Sequence, residues 1–172
     1  MSGSAGPRAR RTQDKISAVR ANSEGLRPGP LDHLGLSETL SQSLGRFQER
    51  YGIATKLKRT GHAHALDRHT EIGIYRIFQE ALTNVARHSK ATQVKAELRW
   101  EPSMLTLQIA DNGLGFDAET LSIDGHLGLL GMQERARELG GSVAFGTGPK
   151  SGACIRLGVP LIAPAAKAKD TT

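Results

Sequence analysis

The sequence predicts an α+β domain, a two-layer sandwich in which helices cover one face of a mixed sheet of about five strands. Three observations lead there. Runs in which apolar and polar residues alternate at period two, such as residues 104–110, read as half-buried strands. Longer segments with apolar residues three and four apart, such as the one holding Ile74, Ile77, Phe78, Leu82 and Val85, read as amphipathic helices. Their order is helix, strand, helix, strand, strand, helix, strand, strand.

Residues 1 to about 12, rich in Gly, Ser, Ala and Arg, read as an appended or flexible leader. A helix is expected over residues 13–24, with Ile16 and Val19 on its apolar face, and Pro28-Gly29-Pro30 ends it. Residues 31–50 form a second amphipathic helix, with Leu34, Leu40, Leu44 and Phe47 on its stripe and Gly52 just beyond. Residues 53–58 alternate as a strand. The polar loop over 61–69 holds His62, His64 and His69, but no Cys or acidic pair completes a metal-ligand set, so they read as exposed loop histidines. After the helix carrying Glu80 come strands at 93–100 and 104–110, joined by the tight turn Glu101-Pro102-Ser103. A helix over 128–139 ends at Gly140-Gly141, a C-cap signal. Residues 142–146 and 153–160 pair as a hairpin, and the Ala/Lys-rich end from 162 onward is expected to be a disordered tail.

At 172 residues, 38% of them hydrophobic, the chain has room for one ordinary domain plus tails. No run approaches the roughly 18 apolar residues of a membrane span, and no secretory signal is present. The single Cys154 excludes an internal disulfide and reads as a small core residue. The net charge of +6 lies partly in the ends, at Arg8, Arg10, Arg11, Lys167 and Lys169. With one Trp and two Tyr there are few stacking platforms, so direct nucleic-acid binding is not expected.

Three motifs carry chemistry. Asp111-Asn112-Gly113-Leu114-Gly115-Phe116 places a carboxylate at the end of an apolar strand before two glycines. A carboxylate there is fixed by the sheet yet free to accept hydrogen bonds, and glycines without Cβ atoms let a flat ligand lie against the backbone. Glu80, Asn84 and His88 are spaced four apart, with Arg87 beside them, which lines them along one helix edge. A carboxylate, an amide oxygen and two basic groups in a row suit a magnesium-phosphate ligand. Gly125-His126-Leu127-Gly128-Leu129-Leu130-Gly131-Met132 reads as a glycine-spaced loop leading into a helix, where unpaired backbone N–H groups favour anions.

The order Gln-Glu-Ala-Leu-Thr-Asn…His, Asp-Asn-Gly-x-Gly-Phe, then His-Leu-Gly-Leu-Leu-Gly-Met-x-Glu-Arg resembles the catalytic ATP-binding domain of bacterial sensor histidine kinases, in the superfamily shared with gyrase, Hsp90 and MutL. The resemblance covers about residues 26–161, with 1–25 a leader and the end of a dimerisation helix and 162–172 a tail. The flank Leu26-Arg27-Pro28…Leu31-Asp32-His33-Leu34-Gly35-Leu36 is similar to the junction in a subfamily whose response regulators carry a LuxR-type helix-turn-helix. The resemblance implies the Bergerat-type sandwich and the cofactors ATP and Mg²⁺. It implies that Asp111 accepts the exocyclic amine of adenine, selecting ATP over GTP. Asn84 would ligate Mg²⁺, Glu80 would orient a water or take the acceptor's proton, and Arg87 and His88 would meet the phosphates. Gly113 and Gly115 would admit the purine. Residues 116–126 would form a lid, and His126, Leu127, Gly128, Leu129 and Gly131 would complete the phosphate contacts. The implied partners are a dimerisation and phosphoacceptor domain and a response regulator, in the cytoplasm, with no membrane contact by this chain.

Two departures stand out. Where the family commonly has Gly-Thr, this chain has Gly152-Ala153, without the hydroxyl. No histidine occurs before His33, which lies inside the junction, so the expected phosphoacceptor is missing. A serine kinase of the anti-sigma-factor type, an ATP-gated clamp and a non-catalytic ATP-binding module are the rival readings; the junction argues against the first, the want of a transducer domain against the second and the intact Glu80 against the third.

Overall fold

A computed structural model describes residues 29–116 and 123–161; side chains at 29, 30, 32 and 123–126 are outside that description. The expected leader and first helix, most of the lid and the tail fall outside the described residues. Helix α1 spans Gly29–Tyr51, strand β1 Ala54–Thr60 and helix α2 Arg68–Asn84. A single π-helical turn at Val85–Ser89 extends α2. Strands β2 (Gln93–Trp100) and β3 (Met104–Asp111) follow, then α3 (Ile123–Glu138), β4 (Ser142–Thr147), a 3₁₀ turn at Pro149–Ser151 and β5 (Ala153–Pro160).

The sheet order is β1-β2-β3-β5-β4; β1 and β2 are parallel and every other pair is antiparallel. The parallel pair follows from the crossover through α2, since parallel neighbours need a long connection. Alternation sorts the strand residues cleanly. Val94, Ala96, Leu98, Leu105, Leu107, Ile109, Ile155, Leu157 and Val159 point to the helix layer and are buried. There they meet Leu40 and Leu44 of α1, Ile74, Ile77 and Phe78 of α2, and Met132 and Ala136 of α3 in one apolar core. Each of the larger of these side chains contributes about 1.5–3 kcal/mol by leaving water, which is why the helices stay on this face.

Two helix ends have visible causes. Asp67 caps α2: its carboxylate accepts from Thr70 N at 3.0 Å and Thr70 Oγ1 at 2.6 Å, and these bonds hold its pKa below the usual value. At the end of α3, Gly141 N reaches Ala136 O and Gly140 N reaches Arg137 O, both at 2.9 Å, with Gly140 left-handed.

Two expectations need correction. α1 is interrupted at Gly35 (φ 73°), so Leu36 takes the buried place and Leu34, expected on the stripe, stays 47% exposed. Cys154 is not in the core: the β5 register puts it on the uncovered sheet face beside Arg156, half-buried.

Candidate nucleotide site

Asp111 ends β3 opposite Val94, with its side chain on the helix side of the sheet and only 3% exposed. A buried carboxylate needs partners, because an unpaired one pays the full cost of desolvation. Its Oδ1 accepts from Gly113 N at 2.7 Å and from Ala153 N at 3.4 Å. Two backbone donors on one oxygen fix the carboxylate's plane. The Ala153 contact is made by the backbone, so it does not depend on the hydroxyl missing at that position.

Asn112 ties the loop after β3 to the start of β2. Its Oδ1 accepts from Thr92 N at 3.0 Å and Gln93 N at 2.9 Å, while its Nδ2 donates to Thr92 Oγ1 at 2.9 Å. Sequence reasoning overlooked this residue, though an amide flanked by Asp and Gly is a common turn signal.

The glycines of this loop sit close against the protein's own backbone. A Cβ on Gly113 would collide with the Ser89 carbonyl, and one on Gly115 (φ 78°) would meet the Ser151 carbonyl. They make room for the protein's own backbone. Ser89 O also accepts from Leu114 N at 2.7 Å, which docks the loop on the turn after α2. Gly152, which sequence reasoning passed over apart from its missing neighbour hydroxyl, is held so close that a Cβ would strike the Asp111 carbonyl.

Glu80 and Asn84 lie one turn apart on α2, both half-buried. The Cβ position of Gly128 is 2.7 Å from Glu80 Oε1 and 3.8 Å from Asn84 Oδ1, so both oxygens face the α3 backbone together. Beyond Asn84 the regular spacing of four stops. Arg87 and His88 sit exposed on the π turn, whose wider coil takes His88 off the Glu80–Asn84 edge. Ser89 organises that turn: its Oγ donates to Val85 O at 2.9 Å and accepts from Ala91 N at 3.0 Å.

The glycine-spaced segment also differs from expectation. It is helical from Ile123, so the N–H groups of Gly128 and Gly131 are paired inside α3 and only the first turn's donors are free. Leu127 is exposed, Leu129 is half-buried against the core and the side chain of His126 is outside the described residues. The reason for the misreading is that three glycines depress helix propensity by about 1 kcal/mol each, while packing of Met132 and Ala136 holds the helix.

The donor set fits the implied cofactors. A buried, rigid acceptor at Asp111 complements an amine donor, and a carboxylate and amide oxygen at Glu80 and Asn84 match an ion that takes few protein ligands and keeps its waters. Among the described residues no group of three or more His, Cys, Asp or Glu forms a closed metal cage.

Comparison with known proteins finds relatives among histidine kinases. The chain is 36% identical over 149 residues to the signal transduction histidine-protein kinase/phosphatase DegS of Brevibacillus brevis, covering 87% of this chain and 38% of that protein. It is 38% identical over 122 residues to the sensor histidine kinase MctS of Rhizobium johnstonii, covering 70% of this chain and 26% of that protein. The chain thus spans well under half the length of these relatives. The crystal structure of the ATP binding domain of PrrB from Mycobacterium tuberculosis superposes with a TM-score of 0.61 at 21% identity, covering 74% of this chain and 94% of that one. Residues 69–163, more than half of the sequence, match the family model described as histidine kinase-, DNA gyrase B- and HSP90-like ATPase, and the chain belongs to that family.

Proposed function

We propose that the chain is the ATP-binding catalytic domain of a sensor histidine kinase, which takes up Mg-ATP and gives its γ-phosphate to a histidine on a separate dimerisation domain. The observation that carries this reading is the buried Asp111 carboxylate, held by two backbone amides at the sheet end where the Glu80–Asn84 helix runs out. Asp111 receives the adenine amine and disfavours guanine, whose carbonyl oxygen would meet a negative charge. Asn84 offers its amide oxygen to Mg²⁺, and Glu80 beside it orients a water or accepts the proton of the incoming imidazole. Arg87 and His88 meet the phosphates from the π turn. Bound Mg²⁺ supplies charge neutralisation of the phosphates. The N-terminal half of α3, with His126, Leu127, Gly128, Leu129 and Gly131, lies over the triphosphate. Relay of the phosphoryl group to a response regulator with a LuxR-type DNA-binding domain completes the reading, which the family match and the named histidine kinases among its relatives support.

Calorimetry of ADP binding with and without Mg²⁺, in the native chain and in Asn84→Ala, tests it. The variant should lose most of the Mg²⁺ enhancement and keep the metal-free affinity. An unchanged enhancement would remove Asn84 as the ligand, and absence of any nucleotide binding by the native chain would remove the proposal.

A further inference from the structure

The uncovered sheet face holds a second site. Strand registers put its side chains in rows, and the five-strand row nearest the end where Asp111 lies reads Lys56, Lys95, Ala110, Cys154, Gly146 from β1 to β4. Two lysines are therefore direct neighbours across the β1–β2 pair, and three small residues follow. The small residues leave a hollow of about 400 Å³, walled by the lysines on one side and by Thr147, Gly148 and Pro149 on the other. Arg156 enters from the next row, steered by Gln108, whose Oε1 accepts from Nη2 at 3.0 Å and Nε at 3.2 Å.

Like charges directly opposite one another in a sheet are destabilising, so this pairing wants a counter-charge. The strands supply none to spare for Lys56 and Lys95. The one carboxylate on the outer face of the described strands is Glu97, which lines the same hollow and is taken by Lys58 and Arg99, each at 3.2 Å. Among the described residues no ion pair is recorded for Lys56 or Lys95. Four cations, Lys56, Lys58, Lys95 and Arg156, thus line a walled hollow of small-ligand size against one carboxylate, Glu97, leaving an excess of positive charge.

We propose that this hollow is an anion-binding site, distinct from the nucleotide site on the opposite face, and that it takes a phosphate dianion or a small phosphomonoester. A carboxylate carries one charge and would neutralise one lysine, whereas a phosphate monoester carries between 1.5 and 2 charges near neutrality and spans both. The three acceptor oxygens of a phosphate match two ammonium groups and a guanidinium.

Cys154, the only cysteine of the chain, lies on the floor and reports occupancy. Burial raises the pKa of its thiol, so alkylation is slow enough to follow. The test measures the rate of Cys154 alkylation by a neutral maleimide at fixed pH, with inorganic phosphate, and with acetate or chloride at the same ionic strength. At a dissociation constant of about 1 mM, 10 mM phosphate should slow the reaction about tenfold, and acetate and chloride should leave it unchanged. A Lys56→Gln, Lys95→Gln double variant should react at a rate that phosphate no longer alters. Equal slowing by all three anions would reduce the effect to screening and overturn the proposal. So would no slowing by phosphate, or slowing that survives in the double variant. Both lysines are exposed, so the variant folds; circular dichroism checks this, and nucleotide affinity measured alongside separates failure here from failure at Asp111.

Discussion

Asp111 is held through one oxygen, and that settles what its amide counterpart can do. In Asp111→Asn the side-chain oxygen must stay where Gly113 N and Ala153 N donate, because the reverse orientation would set an NH₂ against two N–H groups. The NH₂ is then forced toward the ligand, donor against adenine's donor. ATP affinity should fall by at least about tenfold, the loss of a charge-assisted bond worth about 1.5–3 kcal/mol, while the circular dichroism spectrum is kept. Unchanged affinity by calorimetry would take Asp111 out of the site. The carboxylate was legible in the sequence because it ends a strand of clear alternation. The partners of the glycines were not: Gly113 answers to Ser89 and Gly152 to Asp111 itself, and contacts so far apart in sequence leave no local trace.

At the scale of elements, strands were legible to within about two residues because period two is a strong signal when one face is buried. The helices showed more departures, each where local propensity and packing disagree. α3 begins earlier than its glycines suggest, and α2 runs on as a π turn that no spacing rule announces. The glycines of α3 therefore have separable roles. A Cβ on Gly131 meets nothing within 4 Å, so Gly131→Ala should only strengthen the helix, by about 1 kcal/mol, raising the melting temperature by about 2–4 °C. A Cβ on Gly128 comes within 2.7 Å of Glu80 Oε1, the movable end of a side chain. Gly128→Ala should therefore gain similar stability and turn the Glu80 carboxylate away, lowering phosphoryl transfer more than nucleotide affinity. Thermal denaturation and calorimetry on both variants decide; a Gly131→Ala protein that melts lower than the native one would show that α3 needs glycine there for another reason.

The whole molecule has two ends, and the register locates them. Asp111, the π turn, Ala153 and the Thr147–Gly152 loop gather where β2 and β5 begin and β3 and β4 finish. Trp100 marks the other end of β2, six residues from Val94, or about 20 Å at the usual rise per residue. The histidines expected in the loop belong to that far end, His69 within the first turn of α2: the His64 ring is 6.1 Å from Trp100, and Gly61 lies against the Trp100 carbonyl. His33 lies near there too: four residues on, across the Gly35 break, the Ser37 carbonyl accepts from Arg59 near the end of β1. Phosphoryl transfer needs an acceptor nitrogen in line with the γ-phosphate, and positioning supplies most of its rate. These histidines cannot reach across the sheet, and His88, on the π turn at the nucleotide end, is assigned to phosphate contact rather than to in-line attack. The chain should accordingly bind ATP and fail to label itself when incubated with γ-labelled ATP. Label should appear on a dimerisation helix pair bearing its histidine when that is added, slowly, because an untethered acceptor forgoes the high effective concentration of a linked one. Acid-labile label on the isolated chain would contradict this, and His88, exposed on the π turn beside Asn84, would be the first residue to replace.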